Sequence, residues 1–85
     1  MSPRASARAL ARPHPAAVRT GSGGTPSRLG DRAVEAVREE WVVEDRWWTE
    51  RPLRRRYFEL VLDDGTNAVV FHDLARRRWF AQRGA

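Results

Sequence analysis

Two alternating runs flank one turn signal in the C-terminal half of this chain, and few folds can accommodate that arrangement. From Arg55 to Leu62, Phe58, Leu60 and Leu62 fall on one side of an extended strand, and Tyr57, Glu59 and Val61 on the other. Asp63-Asp64-Gly65 follows, and then a β-branched and aromatic run from Ala68 to Asp73. Asp-Gly between apolar runs is the strongest short-range signal for a β-hairpin. With Asp64-Gly65 as a two-residue loop, Leu60 lies opposite Val69, Phe58 opposite Phe71 and Tyr57 opposite His72. A bulged three-residue turn shifts this pairing by one. A second turn, Leu74 to Arg77, sets Asp73 opposite Arg78, His72 opposite Trp79 and Phe71 opposite Phe80.

On the two-residue register, one face of the meander carries Phe58, Leu60, Val69, Phe71 and Phe80, the expected core. The other carries Tyr57, His72 and Trp79 in a cross-strand row, with Val61 and Val70 nearby. Both faces are apolar, so either the sheet curls and the N-terminal strand covers the second face, or that face binds something. Upstream, residues 33–45 are expected as an extended strand bent near Glu39-Glu40. Val34, Val37 and Trp41 also fit helical spacing, which leaves a short helix over 31–40 as the alternative. Thr49-Glu50-Arg51-Pro52 is expected as a loop, because Pro52 lacks the amide donor a ladder needs.

Residues 1–30 hold five Arg, no acid and few large aliphatics, and Pro recurs at 3, 13, 15 and 26. Such a stretch buries too little apolar area to offset the entropy of ordering it, so it is expected to be a disordered basic tail. The net charge of +5 lies there, since the remaining eleven Arg balance all eleven acids of residues 31–85. The 85 residues allow one small domain. The chain has no cysteine, so it has neither a disulfide nor a thiolate for metal or nucleophilic chemistry. No apolar stretch approaches the ~20 residues that span a bilayer, and a cytoplasmic location with no membrane partner is the expectation.

The Tyr57, His72 and Trp79 row is the sharpest candidate site. Aromatic rows on a sheet stack unpaired bases, and Arg55 shares that face. The same row equally suits an ordinary second core or a protein partner. Trp47 and Trp48 project to opposite faces if extended, which makes Trp48 a candidate interface anchor. Arg54, Arg55 and Arg56 precede one strand, and Arg76, Arg77 and Arg78 precede another. In a meander both runs reach the same end of the sheet, either to contact phosphate or to pair with nearby Glu50, Glu59 and Asp73. His72 and Asp73 are adjacent on a strand and point apart, so they form no dyad. No catalytic residue, metal site or cofactor is expected, and the chain does not read as an enzyme.

The ordered set Val37-Arg38-Glu39-Glu40-Trp41, Asp45-Arg46-Trp47-Trp48, Arg56-Tyr57-Phe58-Glu59-Leu60-Val61-Leu62-Asp63-Asp64-Gly65, Val70-Phe71-His72-Asp73 and Arg78-Trp79-Phe80 resembles a short uncharacterised bacterial domain. That domain forms the C-terminal segment of the catalytically inactive Y-family polymerase-like subunit of mutasomes. The resemblance covers roughly residues 33–82 and implies structural roles for Trp47, Trp48, Tyr57, Phe58, Gly65, Asp73 and Trp79. It implies a setting in DNA repair and translesion synthesis, and binding to a protein partner. His72 departs from the basic or aromatic residue expected before that aspartate.

The expectation is therefore a mainly β domain over 31–85, a small curled antiparallel meander of about four strands behind a disordered basic tail. Its expected function is a non-catalytic interaction module with a protein partner. The alternative is a small single-stranded nucleic-acid binder that uses the aromatic face and the Arg runs.

Overall fold

The computed structural model describes residues 12–45, 50 and 52–83. They form seven strands: β1 (His14–Pro15), β2 (Val18–Thr20), β3 (Pro26–Leu29), β4 (Arg32–Asp45), β5 (Leu53–Leu62), β6 (Asn67–Asp73) and β7 (Arg78–Arg83). A short 3₁₀ turn at Ser22–Gly24 joins β2 to β3. All pairings are antiparallel, in the order β1-β7-β6-β5-β4-β3-β2. The fold is thus mainly β, as the alternation predicts, with seven strands rather than four.

The tail expectation needs correction over the described part of residues 1–30. Residues 14–29 supply three strands. β1 and β2 stand at opposite ends of the strand order yet are separated only by Ala16 and Ala17. The amide of Ala16 donates to the Trp79 carbonyl at 3.0 Å, and the Gly30 amide donates to the Ala17 carbonyl at 2.8 Å. One stretch of chain therefore borders both ends of the sheet, which curls into a half-barrel. Backbone pairing, assisted by Ala16, Val18 and Leu29 against the core, orders a segment whose composition suggests nothing of the kind.

Over residues 32–45 the strand expectation holds and the helix alternative does not. The register of β4 against β5 slips between Val34 and Ala36, and again between Val37 and Glu39. Each slip inserts one extra residue, which bends the strand and re-phases its side chains. Val34 and Val37 consequently both pack on the inner core despite their odd spacing. The helix-like spacing of Val34 and Val37 records the first of these bulges, while Trp41, the third member of that pattern, lies on the outer face.

The β5–β6 hairpin takes the three-residue turn. Leu62 donates to Thr66 at 2.8 Å and accepts from Gly65 at 2.9 Å, and Gly65 adopts φ +85°. Asp63, Asp64 and Gly65 form the loop, with glycine in the left-handed position that suits a bulged turn. The pairs become Leu60 with Ala68, Phe58 with Val70, Tyr57 with Phe71 and Arg56 with His72. The second turn behaves as expected: Asp73 faces Arg78, His72 faces Trp79 and Phe71 faces Phe80.

This shift redistributes the core. The inner cluster is Leu29, Phe58, Leu60, Leu62, Ala68, Val70 and Ala81, with Trp79 packed against it. Val69, Phe71 and Phe80, expected beside Phe58, instead join Tyr57, Trp41 and Val43 on the outer face. Phe58, Phe71, Leu60 and Val70 are the largest fully buried side chains. Both faces are indeed apolar, and the N-terminal strands pack only onto the inner one.

Candidate functional site

Both Arg runs do meet at one end of the sheet. The Leu74 amide donates to the Arg54 carbonyl at 2.9 Å, and Arg55, Asp73 and Arg78 stand side by side across β5, β6 and β7. Most of their charge is committed locally. Arg54 Nε donates to Glu44 at 3.0 Å, and Arg56 Nε donates to Glu40 at 2.6 Å. A second Arg56 nitrogen donates to the Gly23 carbonyl at 3.0 Å, tying the 3₁₀ turn to the sheet. Arg76 lies 3.8 Å from Asp73. The guanidinium of Arg55 sits 4.5 Å above the Phe71 ring, and that of Arg78 sits 5.7 Å from the Phe80 ring. Arg77 is exposed in the turn with φ +58°. Ion pairing of the runs, weighed in the sequence against phosphate contact, is what the geometry contains, although β4 supplies two of the acids.

Asp73 is a turn residue. It is 5% exposed, and its Oδ1 accepts from the amides of Ala75 at 3.1 Å and Arg76 at 3.0 Å. These bonds satisfy two amides that the β6–β7 turn leaves without ladder partners.

The expected Tyr57, His72 and Trp79 row does not form. His72 and Trp79 do stack, at 4.7 Å and 10° between planes, on the inner face. Tyr57 belongs to the outer face, where the row is Trp41, Tyr57, Phe71 and Phe80. Successive ring centroids there are 5.2, 4.9 and 5.2 Å apart. The cause is the one-residue register shift, because odd and even positions of a strand point to opposite faces. Tyr57 is 9% exposed and Phe71 1%, so the middle of the outer row offers no ring face to a ligand. Arg55, expected on the face of that row, shares the outer face with Tyr57 and donates to its hydroxyl at 3.3 Å, whereas His72 and Trp79 lie on the other face. Trp48, and Trp47 with it, lies outside the described residues.

On the inner face a different row faces solvent at the Arg-rich end. Val42, Arg56, His72 and Trp79 are successive neighbours across β4, β5, β6 and β7. Val42 is 55% exposed, the one large exposed hydrophobic among the described residues, and His72 and Trp79 are half-buried. Trp79 also touches Phe58 at 5.6 Å, so its indole joins the core to the surface. Val42 has no motif signal. Its place would follow from reading the alternation of β4 backwards from its upper end.

At the opposite end of the half-barrel lies an open cleft of about 450 Å³ floored by Pro15, Leu29, Leu62 and Ala81. Its polar rim is occupied with itself: Arg32 lies 3.7 Å from Asp63 and 3.6 Å from Asp64, and Asp64 accepts from Thr66. Among the described residues no three His, Asp or Glu side chains are gathered to hold a metal ion. No helix among them is long and apolar enough to cross a membrane. Comparison of the chain with protein-family models, curated proteins and solved structures gives no match.

Proposed function

We propose that the chain is a non-catalytic interaction module that docks a protein partner at the Arg-rich end of its sheet. The observation that carries this reading is the row Val42, Arg56, His72 and Trp79. An exposed aliphatic, a held guanidinium and two stacked rings lie side by side on a rigid sheet. Arg and Trp are among the residues most enriched where binding energy concentrates, and an already ordered sheet lowers the entropic cost of docking. The nucleic-acid alternative draws less support. Its Tyr57 is buried, and the carboxylates of Glu44, Glu40 and Asp73 lie beside Arg54, Arg56 and Arg76, where they would repel phosphate. The DNA-repair setting suggested by the sequence resemblance is part of this proposal.

Immobilised full chain should retain a defined protein from a bacterial lysate. His72→Ala should release it while the melting temperature stays within a few degrees, since His72 is half-buried and stacks on one ring. Tryptophan quenching by a single-stranded oligonucleotide is the opposing measurement. Quenching with a steep salt slope that survives removal of residues 1–11 would replace the protein-docking reading with the nucleic-acid one.

A further inference from the structure

Among the described residues, no strand pairs with the outer side of β4 where it passes Val42. Only Arg32 and Ala33 of β4 pair with β3, whereas pairing with β5 runs up to Asp45. Which groups face the open side follows from the hydrogen bonds. Leu62 donates to Thr66, and Leu74 donates to Arg54. The even residues of β5 therefore direct their backbone groups toward β6, and the odd ones toward β4. Arg55 and Tyr57 meet Val43 and Trp41 in the β4 ladder, so Glu40, Val42 and Glu44 turn their amides and carbonyls the other way. Three donors and three acceptors thus line one regular stretch of edge, and Val42 in its middle is 55% exposed.

Natural sheets blunt long edges with bulges and charges. Here both bulges lie below Glu39, and the stretch from Glu40 to Glu44 is regular. Its side chains make a pattern. On the inner face Glu40 and Glu44 flank Val42. Among the described residues each carboxylate accepts from its Arg through Oε2, and each side chain is well exposed, at 41% and 55%. On the outer face Trp41 and Val43 are half-buried and apolar. β4 as a whole carries five acids against two Arg.

Resting on the interaction-module reading, we infer that β4 binds an extended peptide as an added strand, with basic residues four apart and apolar residues between them. The peptide's two basic side chains meet the Oε1 atoms of Glu40 and Glu44. Its central apolar residue covers Val42, and its two intervening residues lie against Trp41 and Val43. Main-chain bonds supply affinity and the alternating side chains supply selectivity. A second copy of the chain fits poorly: a two-fold axis through Val42 sets Glu40 opposite Glu44 of the second copy, and like charges directly opposite destabilise a ladder.

The test is a titration of a fluorescently labelled peptide with the core Arg-Val-Leu-Val-Arg into the full chain. Saturable binding is expected, with Glu in place of both Arg weakening it at least about tenfold. In antiparallel pairing the amide of the central Leu points at β4, and those of the two Val point away. N-methylation of the Leu should therefore abolish binding, while N-methylation of either Val should leave it within about twofold. Val42→Pro removes an outward donor without touching the β4–β5 ladder and should also abolish binding. Equal effects of N-methylation at Leu and Val would overturn the inference, as would binding indifferent to Val42→Pro. Self-association that Val42→Arg reverses would give the edge to a second copy and overturn it as well. If His72→Ala releases a captured protein while the labelled peptide binds equally well with either N-methylation, the edge inference fails and the module reading stands.

Discussion

Trp41 and Tyr57 face each other across β4 and β5 with ring planes 6° apart and centroids at 5.2 Å. The stack opens the outer row that continues through Phe71 to Phe80, so one ladder of rings ties four strands together. Such pairs contribute about 0.5–1.5 kcal/mol beyond the area they bury. Urea unfolding of Trp41→Leu, Tyr57→Leu and the double variant should give a coupling energy of that size. Strict additivity of the two losses would mean that the rings touch without stabilising each other.

A side chain at Gly65 should cost stability, although nothing lies within 4 Å of the Cβ it would gain. The cost arises from the backbone alone. At φ +85° an L-residue is strained, and alanine should destabilise the hairpin by about 1 kcal/mol or more. Asn, which enters the left-handed region more readily, should cost less. Denaturation midpoints of Gly65→Ala and Gly65→Asn test the order, and equal midpoints would refute the backbone explanation.

The same turn marks where the sequence stops being legible. The strands around it, the second turn and the His72–Trp79 pair follow from alternation and the position of Gly65. Whether Asp63 belongs to the strand or to the loop does not, because glycine serves as the last residue of either loop. That one residue moves Val69, Phe71 and Phe80 to the outer face and separates Tyr57 from His72. β4 was legible as a strand, but its bulges at Glu35 and Arg38 disguised the phase of Val34 and Val37. The N-terminal strands were hidden for a different reason. Pro15 and Pro26 sit in short strands near the ends of the sheet, where a missing amide costs little, and the order there comes from pairing with β7 and β4 rather than from local hydrophobicity.

Asp64 should titrate below its ordinary 3.8, chiefly because the Thr66 hydroxyl and then the Thr66 amide donate to its carboxylate, with Arg32 adding a weaker attraction. A carboxyl whose folded value is lowered stabilises the fold above its unfolded value and loses that contribution as pH falls through the folded one. Thr66→Val removes the largest cause, the 2.6 Å hydroxyl bond. Carboxyl NMR titration should show Asp64 moving up toward 3.8 in the variant, with a shallower loss of stability in acid. An unchanged Asp64 titration in Thr66→Val would assign the shift to the backbone amide and Arg32 instead.

Arg55 is the costly member of the basic runs. Its Nε is buried and has no hydrogen-bond partner among the described residues, while its guanidinium lies over Phe71 and donates to the Tyr57 hydroxyl. Asp73 sits directly opposite, but its Oδ1 serves the turn amides and its other oxygen faces Arg76. Burying an unsatisfied polar atom costs about 1–3 kcal/mol, which offsets the ~0.5–2 kcal/mol of a cation over a ring. Arg55→Met keeps an unbranched stem over Phe71 and discards both effects, so its stability should lie within about 1 kcal/mol of the parent. Arg55→Ala should lose more, because it uncovers the ring. A loss in Arg55→Met as large as in Arg55→Ala would show that the charge itself, and not the stem, holds the outer face together.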